Sequence, residues 1–75
     1  MELKKFVADF ADRFDETDAS EIKADTKFHD LEEWSSLTGM GVIALAKTEY
    51  GKTISGSELR SCVTVEDVFN LISNK

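Results

Sequence analysis

Apolar residues recur along this chain with the period of an α-helix, and that pattern narrows the fold further than any other feature. Leu3, Phe6, Val7, Phe10, Ala11 and Phe14 fall at i, i+3, i+4, i+7, i+8 and i+11, which is one stripe on a helix. Glu2, Lys5, Asp9, Asp12 and Arg13 occupy the other side. Near the far end Val65, Val68, Phe69 and Ile72 repeat the spacing, behind Thr64 as N-cap with Asp67 three residues on. Two such stripes need a common core, and 75 residues hold one domain at most, so residues 1–75 read as a single domain. Hydrophobic residues make up 41% of the chain, enough for one small core. With no proline, four glycines and 32% charged residues, the composition excludes a collagen, a disulfide scaffold and a disordered linker.

Between the stripes lie three further segments. Residues 15–34 form a long acidic connection with sparse apolar residues, Ile22, Phe28, Leu31 and Trp34, spaced as anchors that pin a loop over the core. Asp18 and Glu21 have the spacing of a capped turn within it. Residues 36–50 predict a second helix, capped by Ser35 or Ser36 and ended by Gly51 at C′. From Leu37 to Ala46 only Thr38 is polar, so this helix is either surrounded or exposes an apolar strip. Gly39 and Gly41, each costing about 1 kcal/mol in a helix interior, read as sites of close packing, or as room for something entering beside the helix. Ser55 and Glu58 frame a short helix as a capping box. The expected architecture is all-α: three main helices near residues 2–14, 36–50 and 65–73, a short one near 56–61, and a long loop between the first two. Phe6, Phe10, Phe14, Leu59, Val68, Phe69 and Ile72 are expected to converge on the inner face of the second helix.

The net charge of −6 is unevenly spread. Residues 1–35 hold eleven acids and five bases, whereas residues 36–75 hold four of each. An acidic surface repels phosphate backbones and anionic membranes, so neither a nucleic acid nor a membrane is expected as a partner. It favours basic protein partners instead. The opening segment MELKKFVADF carries acids and lacks the small-residue cleavage site of a signal peptide. With the single Cys62, that points to the reducing cytoplasm, and the chain is expected to act as a monomer.

Few residues offer chemistry. One histidine, His29, and one cysteine, Cys62, cannot by themselves assemble a metal site, and no metal is expected. His29 reads as a solvated loop residue and Cys62 as a small buried hydrophobe. Glu32 and Glu33 are adjacent, so on a helix they would diverge by about 100°. They read as a solvated acidic edge rather than a general acid–base pair. So small a chain also has little room to enclose a substrate, and neither catalytic residues nor enzyme activity are expected. What remains is Glu32-Glu33-Trp34-Ser35-Ser36-Leu37, two serines at the start of a helix. One is accounted for as a cap. The other is well placed to carry a phosphate, because the helix dipole and free amides favour negative charge there.

The run Trp34-Ser35-Ser36-Leu37, followed by an apolar helix, resembles the Asp-Ser-Leu segment of acyl carrier proteins and related carrier domains. The resemblance extends along almost the whole chain: the amphipathic first helix, the loop with Phe28 and Leu31, the second helix ending in Glu49-Tyr50-Gly51, Ile54, the short third helix and the closing Thr64-Val65-Glu66-Asp67-Val68 helix. It implies that Ser36 receives a 4′-phosphopantetheine arm from coenzyme A through a phosphopantetheinyl transferase, with Ser35 as the rival position. The arm then holds an acyl or aminoacyl group as a thioester for loading and accepting enzymes, as in fatty acid biosynthesis and lipid metabolism. Leu37, Met40, Asp30, Glu32, Glu33 and Glu49 are then the expected partner contacts. The chain departs from the family in two ways. Ser35 stands where the family has Asp, and the second helix is poor in acids, with Gly41 where an acid often sits and Glu49 its only one. The loop acids Asp30, Glu32 and Glu33 are expected to replace them. An unmodified, carrier-like helical interaction module is the alternative.

Overall fold

The computed structural model describes residues 2–75. Four α-helices, α1 (Leu3–Ala11), α2 (Ser36–Tyr50), α3 (Gly56–Ser61) and α4 (Val65–Ser73), account for most of the regular structure, and the loop between α1 and α2 holds two 3-10 turns, Ala19–Glu21 capped by Asp18 and Phe28–Asp30. Among the described residues there is no strand, and the one extended pairing is a single antiparallel bridge between Lys27 and Thr64. The expected all-α bundle is the observed one. α1 packs on α4 and α2, and α3 packs on α2. No helix among the described residues is long and apolar enough to cross a membrane.

Local signals set the helix ends. At α3 the Ser55 hydroxyl accepts from the Glu58 amide at 3.0 Å while the Glu58 carboxylate accepts from the Ser55 amide at 2.9 Å. Thr64 and Asp67 make the same reciprocal pair at α4, at 3.1 and 3.0 Å. Loop carbonyls complete the α4 N-terminus, with Ala24 accepting from Glu66 and Thr26 from Val65, so the long loop satisfies amides the helix cannot. α2 ends where Gly51 turns left-handed at φ 65°, a conformation that costs a residue with a Cβ about 1–2 kcal/mol. Nothing lies within 4 Å of a Cβ built there. Gly51→Ala is therefore expected to lose about 1 kcal/mol through backbone strain alone, read as a lowered denaturation midpoint with an unchanged fold.

α1 is shorter than its apolar stripe. The helix stops at Ala11 rather than near residue 14, because the chain tightens into three-residue bonds, Arg13 to the Phe10 carbonyl and Phe14 to the Ala11 carbonyl. Phe14 still reaches the core and is buried.

The core is an aromatic cluster under α2. Phe6, Phe10 and Phe28 are wholly buried, joined by Val42, Leu45, Val65, Val68 and Ile72. Phe10 sits at its centre, with ring centroids 6.0 Å from Phe6, 5.8 Å from Phe14, 5.4 Å from Phe28 and 6.3 Å from Trp34, the last a parallel stack. Ile22 and Phe28 are buried and anchor the loop; Leu31 and Trp34 pack at its edge. The core expectation holds for Phe6, Phe10, Phe14, Leu59, Val68 and Ile72 but not fully for Phe69, which is half-buried and covers the edge of Phe6 at 5.8 Å. A second tie closes α1 onto the end of α2: the Tyr50 hydroxyl donates to Asp9, which also pairs with Lys5 at 2.7 Å.

Candidate functional site

The two serines at the head of α2 have different occupations. Ser35 is the N-cap, with extended backbone, and its hydroxyl accepts from the Thr38 amide across a long 3.4 Å. The Thr38 hydroxyl donates to the Glu33 carbonyl at 3.1 Å, which binds the helix start back to the loop. Ser36 is the first helical residue and is exposed. Among the described residues no hydrogen bond engages its hydroxyl, nor the amides of Ser36 and Leu37; the next amides along, of Thr38 and Gly39, are taken by Ser35.

Ser36, like Ser35 beside it, lines a cleft of about 410 Å³ between α2, α3 and the loop. Trp34, Gly39, Met40 and Leu59 line it, with Arg60 at its edge. Gly39 is the floor: a Cβ placed there would lie 3.5 Å from both Leu59 and Trp34. The close packing and the open space expected of a small residue therefore occur together at this position. Gly41 has no such neighbour, only the Arg13 stem at 3.7 Å. Leu37 and Met40 project outward, 79% and 66% exposed, which makes the anticipated apolar strip on α2 real.

The loop acids divide. Asp30 and Glu32 are exposed. Glu33 is half-buried, and its carboxylate is the clamp of the loop: it accepts from the amides of Asp15, Glu16 and Thr17 and from the Thr17 hydroxyl, at 2.6 to 3.0 Å. It is not the solvated edge the sequence suggested. Desolvation is the largest single influence on this carboxyl and pushes its pKa up, but the Thr17 hydroxyl and the three amides together hold it below the ordinary value. A depressed carboxyl stabilises the fold above its unfolded pKa and loses that contribution as pH falls through its folded one. Glu33→Gln is therefore expected to lower the denaturation midpoint at neutral pH. The gap to the parent should close in acid, below the ordinary glutamate value of 4.5. A gap that persisted undiminished in acid would show that the clamp does not depend on charge.

Glu49 lies on the α1 side of α2, near enough that its charge helps raise the pKa of Lys5. His29 is not simply solvated. Its ring packs on Phe28 with centroids 4.3 Å apart, and Nε2 donates to the Cys62 carbonyl at 2.9 Å, fastening the loop to the α3–α4 junction. Cys62 is buried, and burial first, then Asp67 and Glu58, push its thiol pKa up. This is the environment of an inert thiol. Among the described residues no group of three or more His, Cys, Asp or Glu side chains is arranged to hold a metal ion.

Arg60 at the cleft and Glu33 as a clamp were not evident from the sequence. The Glu33 clamp depends on partners 16 to 18 residues away, and the place of Arg60 at the cleft depends on how α3 meets α2 and the loop, so no local spacing encodes either. No protein-family model, curated protein or solved structure matches the chain.

Proposed function

We propose that the chain is a carrier protein, loaded at Ser36 with a 4′-phosphopantetheine arm and catalytically inert itself. The observation that carries this reading is the division of labour between the serines. Ser35 spends its hydroxyl on the cap, while Ser36 keeps a free hydroxyl at an apolar cleft. The donor set suits a phosphodiester at that position. The unengaged amides of Ser36 and Leu37 and the positive end of α2 favour a charge attached to the Ser36 oxygen. When bound, the arm supplies a thiol that holds an acyl or aminoacyl group as a thioester. On attachment the Ser36 hydroxyl loses its proton and forms the new phosphorus–oxygen bond as the pyrophosphate link of coenzyme A breaks, releasing adenosine bisphosphate. Trp34, Gly39 and Leu59 then offer an apolar wall to whatever the arm carries.

Incubation with coenzyme A and a broad-specificity phosphopantetheinyl transferase tests this. The intact mass should rise by one arm, mapped to the peptide containing Ser36. No mass gain, beside a control carrier that loads, would favour an unmodified interaction module.

A further inference from the structure

The charges on the α2–α3 face run against those of the molecule. The chain carries a net charge of −6, yet both acids of these two helices are drawn away from this face. Glu49, nine residues after Met40, stands about 180° around α2 from it, and Glu58 caps Ser55 and pairs with Lys75 at 2.8 Å. The cations on the face, Lys47 and Arg60, have no salt-bridge partner among the described residues. Between them lies the exposed Met40 end of the apolar strip. It continues into an apolar hollow of about 510 Å³ beside Ile43, Ala44 and Lys47, joined to the cleft through Met40 and Ile43. Leu37 lies over the other flank of α2, in a hollow with Arg13, Gly41 and the acids Asp15, Glu16 and Glu33. Met40, Ile43 and Ala44 thus make a contiguous apolar patch with a cation at either end.

We propose that this face docks a protein partner presenting an apolar side chain flanked by Asp or Glu. The apolar strip and hollow receive the side chain, and Lys47 and Arg60 at the rim meet the carboxylates. Asp15 and Glu16 repel the same partner from the other flank, so it is directed onto Met40, Ala44 and Lys47. Docking of this kind does not require the arm and stands whether or not Ser36 is loaded.

The test uses the intact chain and a synthetic amphipathic helical peptide with a leucine stripe flanked by glutamates. A second peptide has lysines in place of the glutamates. Binding is followed by amide chemical shifts. The glutamate peptide should bind about tenfold more tightly than the lysine peptide at low salt, because the two rim cations attract the one and repel the other. The shifts should centre on Met40, Ala44, Lys47 and Arg60, and the difference should shrink as salt rises. Lys47→Glu combined with Arg60→Glu should reverse the preference with the fold intact and a slightly lowered denaturation midpoint, both positions being exposed and each in the last turn of its helix. Met40→Ser should weaken both peptides. The proposal is overturned by equal affinities, by preference for the lysine peptide, by shifts centred on residues 15–33, or by no binding. Self-association of the chain through the same amides would also overturn it, by assigning the face to a second copy.

Discussion

Ser36→Ala is expected to abolish loading from coenzyme A while leaving the fold and its denaturation midpoint unchanged. The side chain is exposed and makes no hydrogen bond among the described residues, so its removal takes away the attacking oxygen and nothing that holds the helix. Ser35→Ala should do the reverse. It remains loadable but loses stability, toward the lower end of the roughly 0.5–2 kcal/mol typical of a lost N-cap, because the cap bond is long at 3.4 Å. Ser35→Asp should load at least as well as the parent, since a carboxylate caps the same amide and adds negative charge at the helix start. Intact mass reads the first property and urea denaturation the second. Loading that survived Ser36→Ala and vanished in Ser35→Ala would reassign the attachment to Ser35.

Phe10→Ala should cost about 3–5 kcal/mol, the range for truncating a buried aromatic. The ring is wholly buried and meets four other rings, so no neighbour can collapse into the gap without leaving its own partners. A domain with roughly 5 kcal/mol to spare would then be largely unfolded. Phe69→Ala, at the half-buried edge, should cost distinctly less. Equal midpoints for the two variants would mean that the centre of the core has been misplaced.

What was legible in the sequence is what neighbouring residues decide. The α1 and α4 stripes, the Ser55–Glu58 and Thr64–Asp67 boxes and the Gly51 terminus each rest on residues within a turn or two, and each forms as expected. The end of α1 was overestimated because the apolar period runs on to Phe14 after the backbone has left the helix. The Glu33 clamp spans 16 to 18 residues, and the Tyr50–Asp9 bond spans 41. Such bonds depend on how the elements meet, and composition or spacing carries no trace of them. At the site, register alone separated Ser36 from Ser35, whereas the acids of α2 and α3 had to be seen in place before the basic character of that face emerged.

Trp34 is a wall shared between two compartments. Its indole lies parallel to the Phe10 ring and also lines the cleft beside Ser36. Occupancy of the cleft and integrity of the core are therefore thermodynamically linked. A group that rests against Trp34 only in the folded chain stabilises that chain by RT ln(1 + [L]/Kd), about 2.7 kcal/mol at a hundredfold excess over Kd. By the same linkage, a core loosened at Phe10 populates the unfolded chain, which has no cleft, and so weakens the apparent hold on that group. In a domain this small, any group gripped by the cleft becomes part of what keeps the protein folded, and its departure returns the chain to its lower intrinsic stability.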